Sequence, residues 1–111
     1  MSEKEKIKAI KEYLIEERRL LSEKLIELEY LKKILSEFKK VNETYIKLGE
    51  GIFFKGSIID DQKFLVNVGN NVYIEKSKED LLKILDENIK KIEDRIKEID
   101  DKLNKFDNLS S

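Results

Sequence analysis

The residues of this 111-residue chain that could do chemistry are few and poorly spaced for it. Asp60-Asp61 is a paired carboxylate, but no third acidic ligand follows at the spacing of a loop cation site. The pair lies between two β-prone stretches, where aspartate favours a turn by hydrogen bonding to nearby backbone. Gly49-Glu50-Gly51 is too short to cradle a phosphate and lacks a third glycine. Ser22, Ser36, Ser57 and Ser77 have no histidine to activate them, because the chain contains none. Tyr13, Tyr30 and Tyr45 read as packing or surface residues. The absence of cysteine removes disulfides and thiolate chemistry, and with histidine also missing nearly all zinc or copper sites are excluded. The expectation is a non-enzyme, with no catalytic residue, no metal and no cofactor.

Composition points to an extended architecture. Charged residues make up 42% of the chain and aromatics 8%, which leaves little apolar volume for a spherical core. Proline is absent, as long unbroken helices require. Lys and Arg balance Asp and Glu to a net charge of −1, so there is no general electrostatic case for nucleic acid or an anionic membrane. The N-terminal MSEKEKIKAI has no apolar signal stretch, and no run approaches the length of a membrane span. A cytoplasmic protein is expected, and the Lys/Glu/Ile bias suits a thermophile.

Two segments carry heptad patterning. Ser2 with Glu5 fits a capping box, and Ile7, Leu14, Leu21, Leu28 and Leu35 then repeat every seventh position. A second row, Ile10, Glu17, Lys24, Leu31 and Phe38, is offset by three. This helix is expected to reach Val41 or Asn42, within an N-terminal arm of residues 1–43. Ser77, with Asp80 three positions on, caps a second helix. Its seam is cleaner: Leu82, Leu85, Ile89, Ile92, Ile96, Ile99, Leu103 and Phe106. That arm covers 77–107, followed by a frayed tail, 108–111.

Between the arms, residues 44–76 change period and hold all four glycines. Four short strands alternate with turns at Gly49-Glu50-Gly51, Asp60-Asp61-Gln62 and Gly69-Asn70-Asn71, giving two consecutive β-hairpins. Ile52, Phe54, Ile58, Phe64, Val66, Val68, Val72 and Ile74 share one set of faces, and Phe53, Ile59, Leu65 and Tyr73 lie on the other. A unit this small cannot hide two apolar faces, so these twelve residues are expected to pack against other subunits.

The simplest geometry folds the helices back on each other as an antiparallel coiled coil. One register sets Leu35 against Leu85, Leu28 against Ile92, Leu21 against Ile99 and Leu14 against Phe106. Glu17 and Lys24 interrupt its outer part, where local splaying or snorkelling is expected. Residues 1–12 overhang the second helix, which leaves two readings of Ile7, Ala9 and Ile10. They are a frayed end closed by Leu109, or an exposed apolar tip that holds something else. The fold class is therefore α+β, a long two-helix coiled coil joined by two hairpins.

That order resembles an alpha-class prefoldin subunit, possible self-assembling gamma-type paralogues included. Lys47-Leu48-Gly49-Glu50-Gly51-Ile52-Phe53-Phe54-Lys55-Gly56 is similar to the first hairpin of the class. Leu65-Val66-Asn67-Val68-Gly69-Asn70-Asn71-Val72-Tyr73-Ile74-Glu75-Lys76 is similar to the second, with Asn71 where a second glycine is usual. The resemblance implies an archaeal, ATP-independent holdase whose hairpins join into an oligomeric β-barrel body. It implies clients captured at the coil tips, by Ile7, Ile10, Leu14, Leu103, Phe106 and Leu109, and passed to a group II chaperonin. Implied partners are unfolded proteins and beta-type subunits or further copies of the chain, in closed hexamers or open filaments. The second helix is short for the family, with few residues beyond Phe106. A structural polymer, with the coils as spacers, is the competing reading; a coil gripping nucleic acid is a third, disfavoured by the balanced charge.

Overall fold

Helix α1 starts where the sequence offers a cap: the Ser2 hydroxyl accepts the Glu5 backbone N–H at 3.2 Å, and Glu3 and Glu5 place negative charge in the first turn. The computed structural model describes Ser2 to Ser110, apart from the side chains of Leu109 and Ser110. Its elements are α1 (Glu3–Glu37), β1 (Val41–Gly49), β2 (Ile52–Ile58), β3 (Lys63–Asn67), β4 (Tyr73–Ser77) and α2 (Lys78–Ser110). Helix, two hairpins, helix is the expected order.

The boundaries differ in two places. Helix α1 stops at Glu37 and β1 already begins at Val41, so the first arm ends before residue 43. Val41 pairs with Ile58, and an irregularity carries the register to Thr44 opposite Gly56. Val41 and Thr44 are β-branched, so extended pairing wins over one more helical turn. At the other end, α2 extends to Ser110, three residues past the expected bound at 107.

The strands form two separate antiparallel sheets, β1 with β2 and β3 with β4. In the first, Gly51 takes the turn at φ 67°. Gly56 has a different task. A Cβ there would lie 2.9 Å from Ile46 Cδ1, so the missing side chain lets Ile46 lie flat across the sheet. In the second, Asn70 and Asn71 both adopt positive φ (50° and 58°), which asparagine tolerates better than most residues. The Val68 N–H donates to the Val72 carbonyl at 2.8 Å and closes the loop. Asn71 thus does the work of a second glycine.

The chain divides into two compact units, Met1–Leu31 with Leu85–Ser111, and Lys32–Ile84. In the second, the ends of both helices meet the hairpins around Lys78. Helix α1 has no basic residue in its last turn to meet its free carbonyls. Lys78, the first residue of α2, supplies the charge from elsewhere: its ammonium donates to the Phe38 carbonyl at 2.6 Å. Its own N–H donates to the Gln62 carbonyl at 2.8 Å. Lys78 is buried, 8% exposed. Next to it the Asp61 carboxylate accepts the Lys40 N–H at 2.8 Å, and the Phe38 ring meets Phe64 edge-on at 5.7 Å. Asp60 behaves as read from sequence, accepting the N–H groups of Gln62 and Lys63 as a local turn.

In the other unit the helices run antiparallel, with Leu14 (5% exposed), Leu85 (7%) and Ile99 (0%) as its buried apolar side chains. Arg18 reaches Asp100 and Lys11 reaches Asp107, in agreement with a register that sets Leu21 against Ile99 and Leu14 against Phe106.

Lys78→Met retains the stem and removes the charge that meets the α1 carbonyl. It should lower stability by about 2 kcal/mol, the usual worth of a hydrogen bond to a charged group. Urea denaturation reads this as a lower midpoint at unchanged slope. An unchanged midpoint would remove Lys78 from the account.

Candidate assembly faces and client-binding arm

The pleat of each hairpin sends alternate side chains to opposite faces, and both faces keep exposed apolar side chains, with one face of β3 partly covered at Phe64 and Val66. Of the twelve strand residues expected at subunit contacts, nine are exposed: Ile52, Phe53, Phe54, Ile59, Leu65, Val68, Val72, Tyr73 and Ile74. Ile58, Phe64 and Val66 are half-buried. Leu65 and Ile59 are 72% and 80% exposed, which would be costly for leucine and isoleucine grouped on so small a unit. Tyr45 and Leu48 belong to the same surface and were not among the expected residues. They lie on β1, which the sequence marks as a short strand from residue 44, but the apolar faces were counted only from Ile52 onward.

The arm is more mixed. Of the six residues implied as client contacts, Ile10 is exposed, Ile7, Leu103 and Phe106 are half-buried, and Leu14 is buried. The Leu109 side chain lies outside the described residues. The six therefore do not form one open patch. Tyr13 and Ile15 are exposed in the same stretch of α1 as Ile10, and Ile15, away from either heptad row, gave no signal as a surface contact.

The reason lies in the seam. On α2 the expected row is covered throughout, from Leu82 to Phe106. On α1 the first row is covered, but the second is displaced by one position. Ile10, Lys24 and Leu31 are exposed, while Lys11, Arg18, Leu25 and Lys32 are half-buried. Long basic side chains lay their aliphatic stems across the seam and send their charges to its edge.

There the charges find partners on α2. Arg18 grips Asp100 with two hydrogen bonds, Nε to Oδ1 at 2.6 Å and Nη2 to Oδ2 at 3.2 Å. Arg95 grips Glu17 with two more, at 2.7 and 2.9 Å, and its remaining nitrogen reaches Glu98 at 2.9 Å. Lys11 meets Asp107 at 2.7 Å. Of the two expectations for Glu17, splaying or snorkelling, the structure fits the second: its carboxylate reaches the seam's edge and is clasped there by Arg95. Lys24 lies outside the seam and pairs along its own helix with Glu27 at 3.7 Å.

The hydrogen bonds from Arg95 hold the Glu17 carboxyl below its ordinary value of 4.5, and those from Arg18 hold Asp100 below 3.8. Asp61 is lowered too, first by the Lys40 N–H. Carboxyls depressed in the folded state stabilise it above their unfolded pKa, and that stabilisation disappears as pH falls through the folded values. Resistance to urea should therefore be flat from neutrality to about pH 5 and decline below about pH 4. Glu17→Gln should make that decline shallower; an identical decline would contradict the assignment.

Among the described residues, no cluster of three acidic, histidine or cysteine side chains could hold a metal ion, and no helix is long and apolar enough to cross a membrane.

A family model described as prefoldin subunit matches residues 7–108. The prefoldin subunit alpha of Thermococcus onnurineus (strain NA1) is 37% identical over 67 residues, covering 57% of this chain and 46% of that protein. Prefoldin subunit alpha 1 of Methanocaldococcus jannaschii is 35% identical over 57 residues, covering 51% and 39%. These matches span less than half the length of the curated relatives. The cryo-EM structure of filamentous PFD from Methanocaldococcus jannaschii superposes with a TM-score of 0.53 at 20% identity, over 92% of this chain and 81% of that one. That likeness shows a shared fold, and with the family match it shows that the chain belongs to the prefoldin subunit family, as an alpha-type member.

Proposed function

We propose that the chain is a subunit of an ATP-independent chaperone that assembles through its hairpins and holds non-native polypeptide on its arms. The observation that carries this reading is the placement of exposed apolar side chains. Nine lie on the two hairpins, six of them within the strands and Ile59, Val68 and Val72 just beyond the strand ends, and sheets of two strands are marginal alone in water. Others, Ile10, Tyr13 and Ile15, lie near the start of α1. Membership of the prefoldin subunit family supports the same reading.

The strands complete their faces and edges against further copies of this chain or beta-type subunits, in a barrel-like body. The arms offer apolar contacts to unfolded clients, which pass to a group II chaperonin. No step needs a nucleotide, a metal or a nucleic acid, and the cytoplasm is the compartment for such work. The second reading, a filament built through the hairpins, is supported by the filamentous relative with the same fold. Pairing that does not close on itself would produce fibres. Electron microscopy of the purified chain separates closed particles from fibres, and client holding is compatible with either.

The arm assignment has its own test. Ile7→Ser combined with Ile10→Ser should reduce suppression of a denatured protein's aggregation severalfold, read by light scattering, while the assembled mass stays the same. Full suppression by the double variant would overturn the assignment of these residues.

A further inference from the structure

The distal part of the arm is unequally built. Facing α1, helix α2 presents Ile92, Ile96, Ile99, Leu103 and Phe106, all half-buried or buried. From Ile7 to Leu21, α1 returns only Ile7, Leu14 and Leu21 as covered apolar side chains, with Lys11, Glu17 and Arg18 covered between them. Part of the α2 stripe is thus roofed by the stems of charged side chains. Their heads are fixed by ion pairs at the seam's edge: Arg18 to Asp100, Arg95 to Glu17 and Lys11 to Asp107. These pairs are partly open to water, with the side chains of Arg18 and Asp100 exposed to 43% and 44% and those of Arg95 and Glu17 to 34% and 26%. Pairs at such depth are screened by salt, while the burial of Ile99 is not.

We propose that the two bidentate pairs, Arg18 with Asp100 and Arg95 with Glu17, form an electrostatic latch, which covers the apolar stripe Ile99–Leu103–Phe106 and releases it, with Leu14, to an apolar segment of a non-native polypeptide. This rests on the chaperone reading and adds its control: capture is set by the ionic strength around the arm and by charges the client brings. A client with basic and acidic residues flanking its apolar segment competes for the same carboxylates and guanidinium groups. The latch explains why Leu14, implied as a client contact, is buried: it belongs to the opened arm.

The chain has no cysteine, so spin labels can be placed cleanly through Lys8→Cys and Lys105→Cys, both exposed. The distance distribution between them reads arm opening, and light scattering of a denatured protein reads capture. In the full-length chain the population at long distance should rise about threefold between about 50 mM and about 1 M potassium chloride, with capture rising alongside. A second variant replaces both bidentate pairs with leucine (Glu17→Leu, Arg18→Leu, Arg95→Leu, Asp100→Leu). Apolar replacement of ion pairs is commonly neutral or stabilising, and helix content by circular dichroism checks that it folds. In this variant the distribution should stay narrow at every salt concentration and capture should lose its salt dependence. A distribution in the unsubstituted clasp that ignores salt overturns the latch. Opening with salt while capture remains flat overturns the link between latch and client, and absence of capture at any salt overturns the chaperone reading itself.

Discussion

One buried ammonium holds the junction together. Lys78 is at the first position of α2, where the helix's own dipole disfavours positive charge. Its location makes sense only through α1, whose last turn has no basic residue and whose terminal carbonyl at Phe38 takes the Lys78 charge. Glu79 and Asp80 then return negative charge to the start of α2, and the Ser77 hydroxyl caps it at 3.0 Å. The Lys78 N–H simultaneously holds Gln62 in the turn between the sheets. With Asp61 fastened to Lys40 and Phe38 packed on Phe64, the end of one helix, a turn, a strand and the start of the other helix share a single knot. Two small sheets with so little apolar core of their own need such a fixed point.

Apolar surface is used differently in the two units. On the hairpins it is displayed on pleated faces, where β3 and β4 pair from Lys63 opposite Ser77 to Asn67 opposite Tyr73 and Lys63 reaches Glu75 at 3.6 Å. A fixed, two-faced, edge-bearing surface suits repeated contact with an identical or similar surface. On the arm it is partly displayed and partly held under charged stems. Under the proposed latch, such a surface suits partners of no fixed shape. The two demands conflict in a single compact core, and a chain of this composition meets them by keeping almost no core.

How much of this could be read from the sequence depended on whether residue type alone decides a position. The caps at Ser2 and Ser77, the Gly-Asn turn and the whole α2 seam were legible because local chemistry settles each. The second α1 row was not. Counting apolar residues favours Ile10 and Leu31, whereas the helix turns Lys11, Arg18 and Lys32 inward and spends their stems as apolar surface. Nor could the role of Lys78 be inferred, since its partner at Phe38 is forty positions away and its own helix argues against it. Asp61 illustrates the same limit beside Asp60: one carboxylate turns its own backbone, and the other reaches Lys40.

The central claim is that residues 44–76 are a joint completed by other chains. Amide hydrogen exchange of the purified chain across a dilution series tests it most directly. Protection in Ile52–Ile58 and Lys63–Asn67 should fall as the chain is diluted, while protection in the middle of α1 and α2 stays constant. Strand protection that is independent of concentration, in a species with the 13.2 kDa mass of a single chain, would contradict it.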